Sequence, residues 1–140
     1  MGDNNMIVST KGRYALRFLI DIAEHQGDSF VPLKDAAARQ EISEKYLEII
    51  VKELMKAGLL TAMRGKGGGY RLRRSPETYN IKDIIELMEG SIAPITCLES
   101  GSEVCPRKDS CLTLPLWEGL DKVISEYLSQ FTLADLLGKD

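Results

Sequence analysis

Apolar residues Leu16, Leu19, Ile20 and Ala23 fall at i, i+3, i+4 and i+7, the spacing that turns one helical stripe toward a core. The helix they predict opens near Ser9 and Thr10, both able to cap it, and stops at Gly27. A second helix runs from Pro32 and Leu33, with proline in its first turn, to about Gln40. After the link Glu41-Ile42, Ser43 caps a third helix over Glu44 to Ala57, which Gly58 terminates. Leu47, Ile50, Val51, Leu54 and Leu59 supply its buried side. Two short helices joined by a tight turn, the second amphipathic, form a helix-turn-helix pattern.

The pattern then changes period. Leu59 to Met63 and Tyr70 to Leu72 predict two short strands around Arg64-Gly65-Lys66-Gly67-Gly68-Gly69, a run whose glycines accept the positive φ of a tight hairpin. Ser75-Pro76 ends the second strand, and a fourth helix follows from Ile81 to Glu89, capped by Asn80 and closed by Gly90. Residues 91–110 carry no sustained period and read as a loop. A long helix over Leu116 to Gln130 sets Leu116, Leu120, Val123, Ile124, Tyr127 and Leu128 at helical spacing. Thr132-Leu133-Ala134-Asp135 resembles a capping box opening a short last helix. The fold class expected is mainly α with a small β-hairpin wing, a winged helix-turn-helix followed by a long C-terminal dimerisation helix. The expected division is 9–78 for DNA binding and 79–138 for the cysteine loop and dimerisation helices.

Composition narrows the function classes. A chain of 140 residues with 44% hydrophobic and 28% charged residues can bury one ordinary core and is not disordered overall. No apolar run approaches the roughly 18–20 residues of a membrane span, and no signal-peptide core is present, so a cytoplasmic protein without a membrane partner is expected. The net charge of −3 hides an asymmetry: residues 1–74 hold 13 basic and 9 acidic groups, a balance of +4, and residues 75–140 hold 5 and 12, a balance of −7. Such a split marks an anion-binding half and a half with other work.

The basic half points to nucleic acid. From Ala62 to Ser75 the chain has Arg64, Lys66, Arg71, Arg73 and Arg74 and no acid. Neutralising phosphates with Lys and Arg supplies most non-specific DNA affinity. A thin glycine-rich tip suits a minor groove, where Arg64 would meet enhanced negative potential, with Lys66 and Arg71 beside it. The first turns of the third helix, Ser43, Glu44, Lys45, Tyr46 and Glu48, would face the major groove, where Glu accepts from cytosine and Ser or Tyr binds phosphate. The rival class is a winged-helix protein-interaction module with a merely solvated wing. A nucleotide-binding loop is not supported: Gly58 to Lys66 does not spell a phosphate-binding loop, and Gly65-Lys66-Gly67 does not continue as a dinucleotide fingerprint.

Cys97, Cys105 and Cys111 are the only cysteines, spaced by seven and five residues. An odd number without an export signal argues against a disulfide framework and leaves metal or redox chemistry. Soft thiolates suit iron–sulfur clusters, and the spacing lacks the close knuckle of structural zinc. Three ligands are one short of four, leaving Glu99, Glu103, Asp109, His25 or a partner-subunit group for the last position. A metal-free thiol switch and half-buried filler are the alternatives. Cysteine–histidine catalysis is not expected, since His25 is the single histidine and nothing orients it.

Four stretches resemble one known family. These are Ser9-Thr10-Lys11-Gly12-Arg13-Tyr14-Ala15-Leu16, then Tyr46-Leu47-Glu48 with Leu54 and Ala57-Gly58-Leu59-Leu60, the wing Arg64 to Tyr70, and Cys111-Leu112-Thr113 with Leu116-Trp117. Together they resemble the Rrf2 family of bacterial winged-helix transcription regulators over about residues 6–138. The resemblance implies a homodimer joined through the long C-terminal helix, and a repressor that reads a pseudo-palindromic double-stranded DNA operator. Tyr46 and Glu48 would then contact DNA from the recognition helix and Arg64 from the wing. Cys97, Cys105 and Cys111 would ligate an iron–sulfur cluster, of [2Fe–2S] type, that senses redox, iron–sulfur or nitrosative state. Two positions depart from the family. The cluster-assembly regulators carry histidine where Leu114 stands, and the nitric-oxide sensors carry an acid where Arg13 stands, so the fourth ligand stays open. A cluster-free branch, controlled by thiol oxidation or a partner protein, is the alternative within the family.

Overall fold

A computed structural model describes residues 8–90 and 112–137. Helix α1 spans Thr10–His25, α2 Leu33–Gln40 and α3 Glu44–Lys56. Strands β1, Leu60–Met63, and β2, Gly69–Leu72, pair antiparallel with Leu60 opposite Leu72 and Met63 opposite Gly69. Helices α4, Ile81–Glu89, α5, Leu114–Ser129, and α6, Leu133–Leu136, complete the described chain.

The helices begin where capping chemistry allows. The hydroxyl of Ser9 accepts from Lys11 N at the start of α1, that of Ser43 from Tyr46 N at α3, and the Asn80 carbonyl from Lys82 N at α4. Each satisfies an amide that the first helical turn leaves free. Thr132 and Asp135 close a reciprocal box at α6, as the sequence suggests. Several boundaries differ from expectation by one or two residues, among them β2, which starts at Gly69 rather than Tyr70. Helix α5 starts at Leu114, two residues early, because Pro115 fits the first turn, where no amide is needed. Strand β1 starts at Leu60 and α3 ends at Lys56, because Leu59 N and Ala57 N turn back to Leu54 O and Glu53 O.

One core binds these elements. Phe18, Leu19 and Ile22 of α1 are fully buried among Ala36 of α2, Leu47, Ile50 and Leu54 of α3, Ile84 and Ile85 of α4, and Leu133 of α6. Residues on both sides of position 78 therefore share it. Each such Leu, Ile or Phe side chain contributes about 1.5–3 kcal/mol by leaving water.

The turn between α2 and α3 is held by a charge. Asp21, fully buried on α1, accepts from Arg39 Nε at 3.0 Å, Arg39 Nη2 at 2.7 Å and Gln40 Nε2 at 3.0 Å. Burial alone would raise its pKa, but the hydrogen bonds from Arg39 and Gln40 and the Arg39 charge outweigh it, so the carboxyl titrates below its usual range. Glu41 then turns the chain in the left-handed conformation, φ 56°, with its amide bonded to Ala38 O. No sequence pattern announces that geometry, since glycine or asparagine normally takes it.

The wing is also tied to the helices by a contact that apolar spacing does not show. Val31, between α1 and α2, exchanges two backbone hydrogen bonds with Tyr70, each 2.8 Å, and so adds a third edge to the hairpin. Gly69 makes this approach possible: a Cβ there would lie 2.2 Å from Val31 O.

Two outcomes follow from these contacts. Arg39→Ala strands a buried carboxylate and should cost about 3 kcal/mol by urea denaturation at pH 7. Because the folded pKa of Asp21 is lowered, its stabilisation is complete above the unfolded value of about 4 and is lost as pH falls below it. The gap between wild type and Asp21→Asn should therefore narrow below about pH 4; a constant gap would show that the carboxylate charge is not what stabilises. Gly69→Ala should cost about 3 kcal/mol through the clash with Val31, whereas Gly67→Ala, which has open space and only a positive φ of 77°, should cost about 1 kcal/mol.

Candidate nucleic-acid interface

Helix α3 has two opposite faces. Leu47, Ile50, Val51 and Leu54 are buried, and Lys45, Ile49, Lys52 and Lys56, at i, i+4, i+7 and i+11, form an exposed stripe on the far side. Glu44 and Glu48 flank that stripe and are exposed as well. Ser43, exposed at the helix start, holds the Tyr46 amide at 3.1 Å. Sequence reasoning placed the interest in the first turns and missed Lys52 and Lys56. Their signal was available, since they follow Lys45 by seven and eleven residues opposite the apolar side.

Three cations of the described residues are consumed in ion pairs within the fold. Lys11 pairs with Glu53, Arg39 with Asp21 and Lys82 with Glu86. Lys45, Lys52, Lys56, Arg64 and Lys66 make no ion pair among the described residues, and each is exposed. Arg64 and Lys66 stand at the wing tip between β1 and β2, where the chain turns back through Gly68 N to Gly65 O at 2.9 Å.

Two residues expected at the surface have structural employment. Tyr46 is half-buried, its ring edge-on to Tyr14 of α1 at 5.8 Å, and the Arg17 guanidinium covers the Tyr14 ring at 5.0 Å. Burial, chiefly, raises the Tyr46 pKa, which keeps the phenol protonated and able to donate. Arg71 is turned toward the loop after α1: it donates to Ser29 O at 3.2 Å and Gly27 O at 3.4 Å and covers the Phe30 ring at 5.8 Å. At the base of the wing, the Tyr79 hydroxyl donates to Leu59 O at 2.5 Å and accepts from Arg73 N and Arg74 N.

Helix α3 is steered from behind by α1, whose own start is held by α4. Glu89, the last residue of α4, accepts from Ser9 N and Ser9 Oγ at 2.8 Å and from Gly12 N at 3.2 Å. A carboxylate at a helix N-terminus is favoured by the helix dipole. A Cβ at position 12, in the first turn of α1, would lie 2.4 Å from that carboxylate oxygen, so any larger residue there must displace the Glu89 side chain. Lys11 in the same turn reaches Glu53 of α3.

Cys97, Cys105 and Cys111 lie outside the described residues. Among the described residues no group of three or more His, Cys, Asp or Glu side chains could hold a metal ion. His25 is engaged at the end of α1, its Nδ1 2.9 Å from Asp21 O. No described helix is long and apolar enough to cross a membrane.

Comparison with known proteins gives this surface a context. The profile of the Rrf2 family, described as an iron-dependent transcriptional regulator, matches residues 8–139. Protein rrf2 of Nitratidesulfovibrio vulgaris is 41% identical over 132 residues, 94% of this chain and 87% of that one. Among solved structures, CymR (YrzC), the global cysteine regulator of B. subtilis, superposes with a TM-score of 0.73 at 37% identity, covering 92% of this chain and 94% of that one. T. potens IscR does so with a TM-score of 0.73 at 39% identity, covering 92% and 84%. The family is one of transcriptional regulators and not of enzymes, and the helix-turn-helix with its hairpin is the winged helix of that family. Carrying its profile over almost the whole length, this chain belongs to the Rrf2 family of transcriptional regulators.

Proposed function

We propose that this regulator is a cytoplasmic repressor that binds a double-stranded DNA operator as a homodimer and responds through its three cysteines. The observation that carries the DNA part is the set of uncompensated cations on α3 and the wing, Lys45, Lys52, Lys56, Arg64 and Lys66. Lys11, Arg39 and Lys82 are paired within the fold, whereas these five are not, and phosphate is the partner they lack. An α-helix fits the major groove, about 12 Å wide, so α3 enters it with Ser43 and Lys45 toward phosphates and Glu48 toward cytosine. Arg64 enters the adjacent minor groove, with Lys66 on the backbone. Tyr46 and Arg71 serve this surface from behind, one bracing α3 on α1 and the other holding the wing to the 27–29 loop.

A second copy supplies the second head. Helix α5 leaves Leu116, Leu120, Val123 and Tyr127 exposed at i, i+4, i+7 and i+11, a continuous apolar stripe beside its packing residues Ile124 and Leu128. Two such stripes cover each other in an isologous dimer, which matches the symmetry of a palindromic site.

Cys97, Cys105 and Cys111 supply three soft thiolate donors, the chemistry that an iron–sulfur cluster of [2Fe–2S] type takes from protein. When bound, such a cluster supplies an oxidisable centre to the 97–111 segment. The family's description as iron-dependent supports this reading. The similarity to CymR, described as a global cysteine regulator, supports a second one, in which the same thiols respond without iron, by oxidation or through a partner protein.

Binding to duplex DNA, measured by fluorescence anisotropy from low to physiological salt, should weaken steeply, with a slope of about 0.9 per phosphate contact. Arg64→Ala should lose most affinity on duplexes with an A·T-rich narrow minor groove; a salt-independent signal would remove the DNA reading and favour a protein-interaction module. Anaerobically purified protein should absorb visible light and contain iron, and a Cys97/Cys105/Cys111→Ala variant should be colourless. Colourless, iron-free wild type whose DNA binding is reversed by peroxide and restored by thiol would favour the second reading.

A further inference from the structure

The exposed stripe of α3 contains one side chain that phosphate cannot explain. Ile49 is 51% exposed at its centre, between Lys45 one turn before and Lys52 one turn after. A β-branched aliphatic residue gains nothing there from helix propensity and nothing from packing on the core. Its neighbours on the opposite face, Leu47, Ile50, Val51 and Leu54, already fill the interior, so Ile49 is not needed to hold α3 in place.

Resting on the DNA-binding reading above, we propose that Ile49 determines sequence specificity by packing on the 5-methyl group of a thymine in the major groove. The stripe carries both parts of the argument. Lys45, Lys52 and Lys56 are exposed and unpaired among the described residues, so phosphates met at either end of the stripe hold this face against the bases. The residue at the centre of the face then meets base edges, and the one apolar feature that a base pair displays in the major groove is the thymine methyl. Hydrogen-bonding groups of the other bases would be desolvated against the isobutyl-sized Ile49 side chain without a partner, and are disfavoured. Glu48, beside it, reads a neighbouring cytosine by accepting from its amino group, so one turn of α3 discriminates two adjacent positions by opposite chemistries.

The test uses the full chain and DNA that it selects itself. Duplexes bound by the wild type are enriched from a pool with a randomised core, and each thymine of the winning duplex is replaced singly by deoxyuridine, which deletes only the methyl group. Anisotropy at fixed salt should show a loss of about fourfold at one thymine per half-site and little elsewhere. Ile49→Ala should bind the thymine and deoxyuridine duplexes equally, and Ile49→Val should keep most of the discrimination. Both variants should melt at the wild-type temperature, because the side chain is outside the core. Equal methyl dependence in wild type and Ile49→Ala, or none in wild type, would overturn the assignment while leaving DNA binding intact. No salt-dependent duplex binding at all would overturn the DNA reading and this inference together.

Discussion

The buried carboxylate of Asp21 organises the helix-turn-helix of this chain. It is the one charged side chain buried among the described residues, and three donor groups of Arg39 and Gln40 satisfy it. Those two residues end α2, so the pair fixes where α2 stops against α1 and hence where α3 can start. A hydrophobic contact would hold the same helices together, but it would tolerate sliding. A bidentate guanidinium–carboxylate pair does not, because its planar geometry admits one alignment. The left-handed Glu41 that follows is accepted as strain because both flanking helices are already placed.

The same logic recurs at the other contacts that orient the surface. Glu89 on α4 holds the first turn of α1, Lys11 in that turn holds Glu53 of α3, and Tyr14 of α1 holds Tyr46. The wing is held by two backbone bonds to Val31 and by Arg71 on the Gly27 and Ser29 carbonyls. Polar groups near the core are thus spent on alignment, and those on the outer face of α3 and at the wing tip remain unpaired. That separation is what makes the outer cations available to an anionic partner.

Much of this organisation was legible from residue spacing. The caps Ser9, Ser43 and Asn80, the stops near Gly27, Gly58 and Gly90, and the capping box at Thr132 all follow local chemistry that needs no tertiary partner. The glycine-rich basic run marked the wing for the same reason. What spacing could not show were pairings between distant segments. Val31 is a single strand residue without an alternating run, and Asp21 looks like an ordinary polar position on a helix until Arg39 is brought to it. Arg71 reads as one more basic wing residue, yet its guanidinium faces the protein's own carbonyls.

Sequence by itself determined the helix-turn-helix, the hairpin, the division of charge between the halves and the family, because periodicity, capping and motif are local properties of the chain. It also marked the three cysteines as the candidate sensing chemistry, by residue type alone. Only the tertiary structure decided which charges are consumed and which are free. Lys11 and Arg39 are spent inside the fold, whereas Lys45, Lys52, Lys56, Arg64 and Lys66 are left to solvent with Ile49 among them. The reason is that a side chain's partners are set by packing between elements far apart in sequence, and no local pattern encodes that distance.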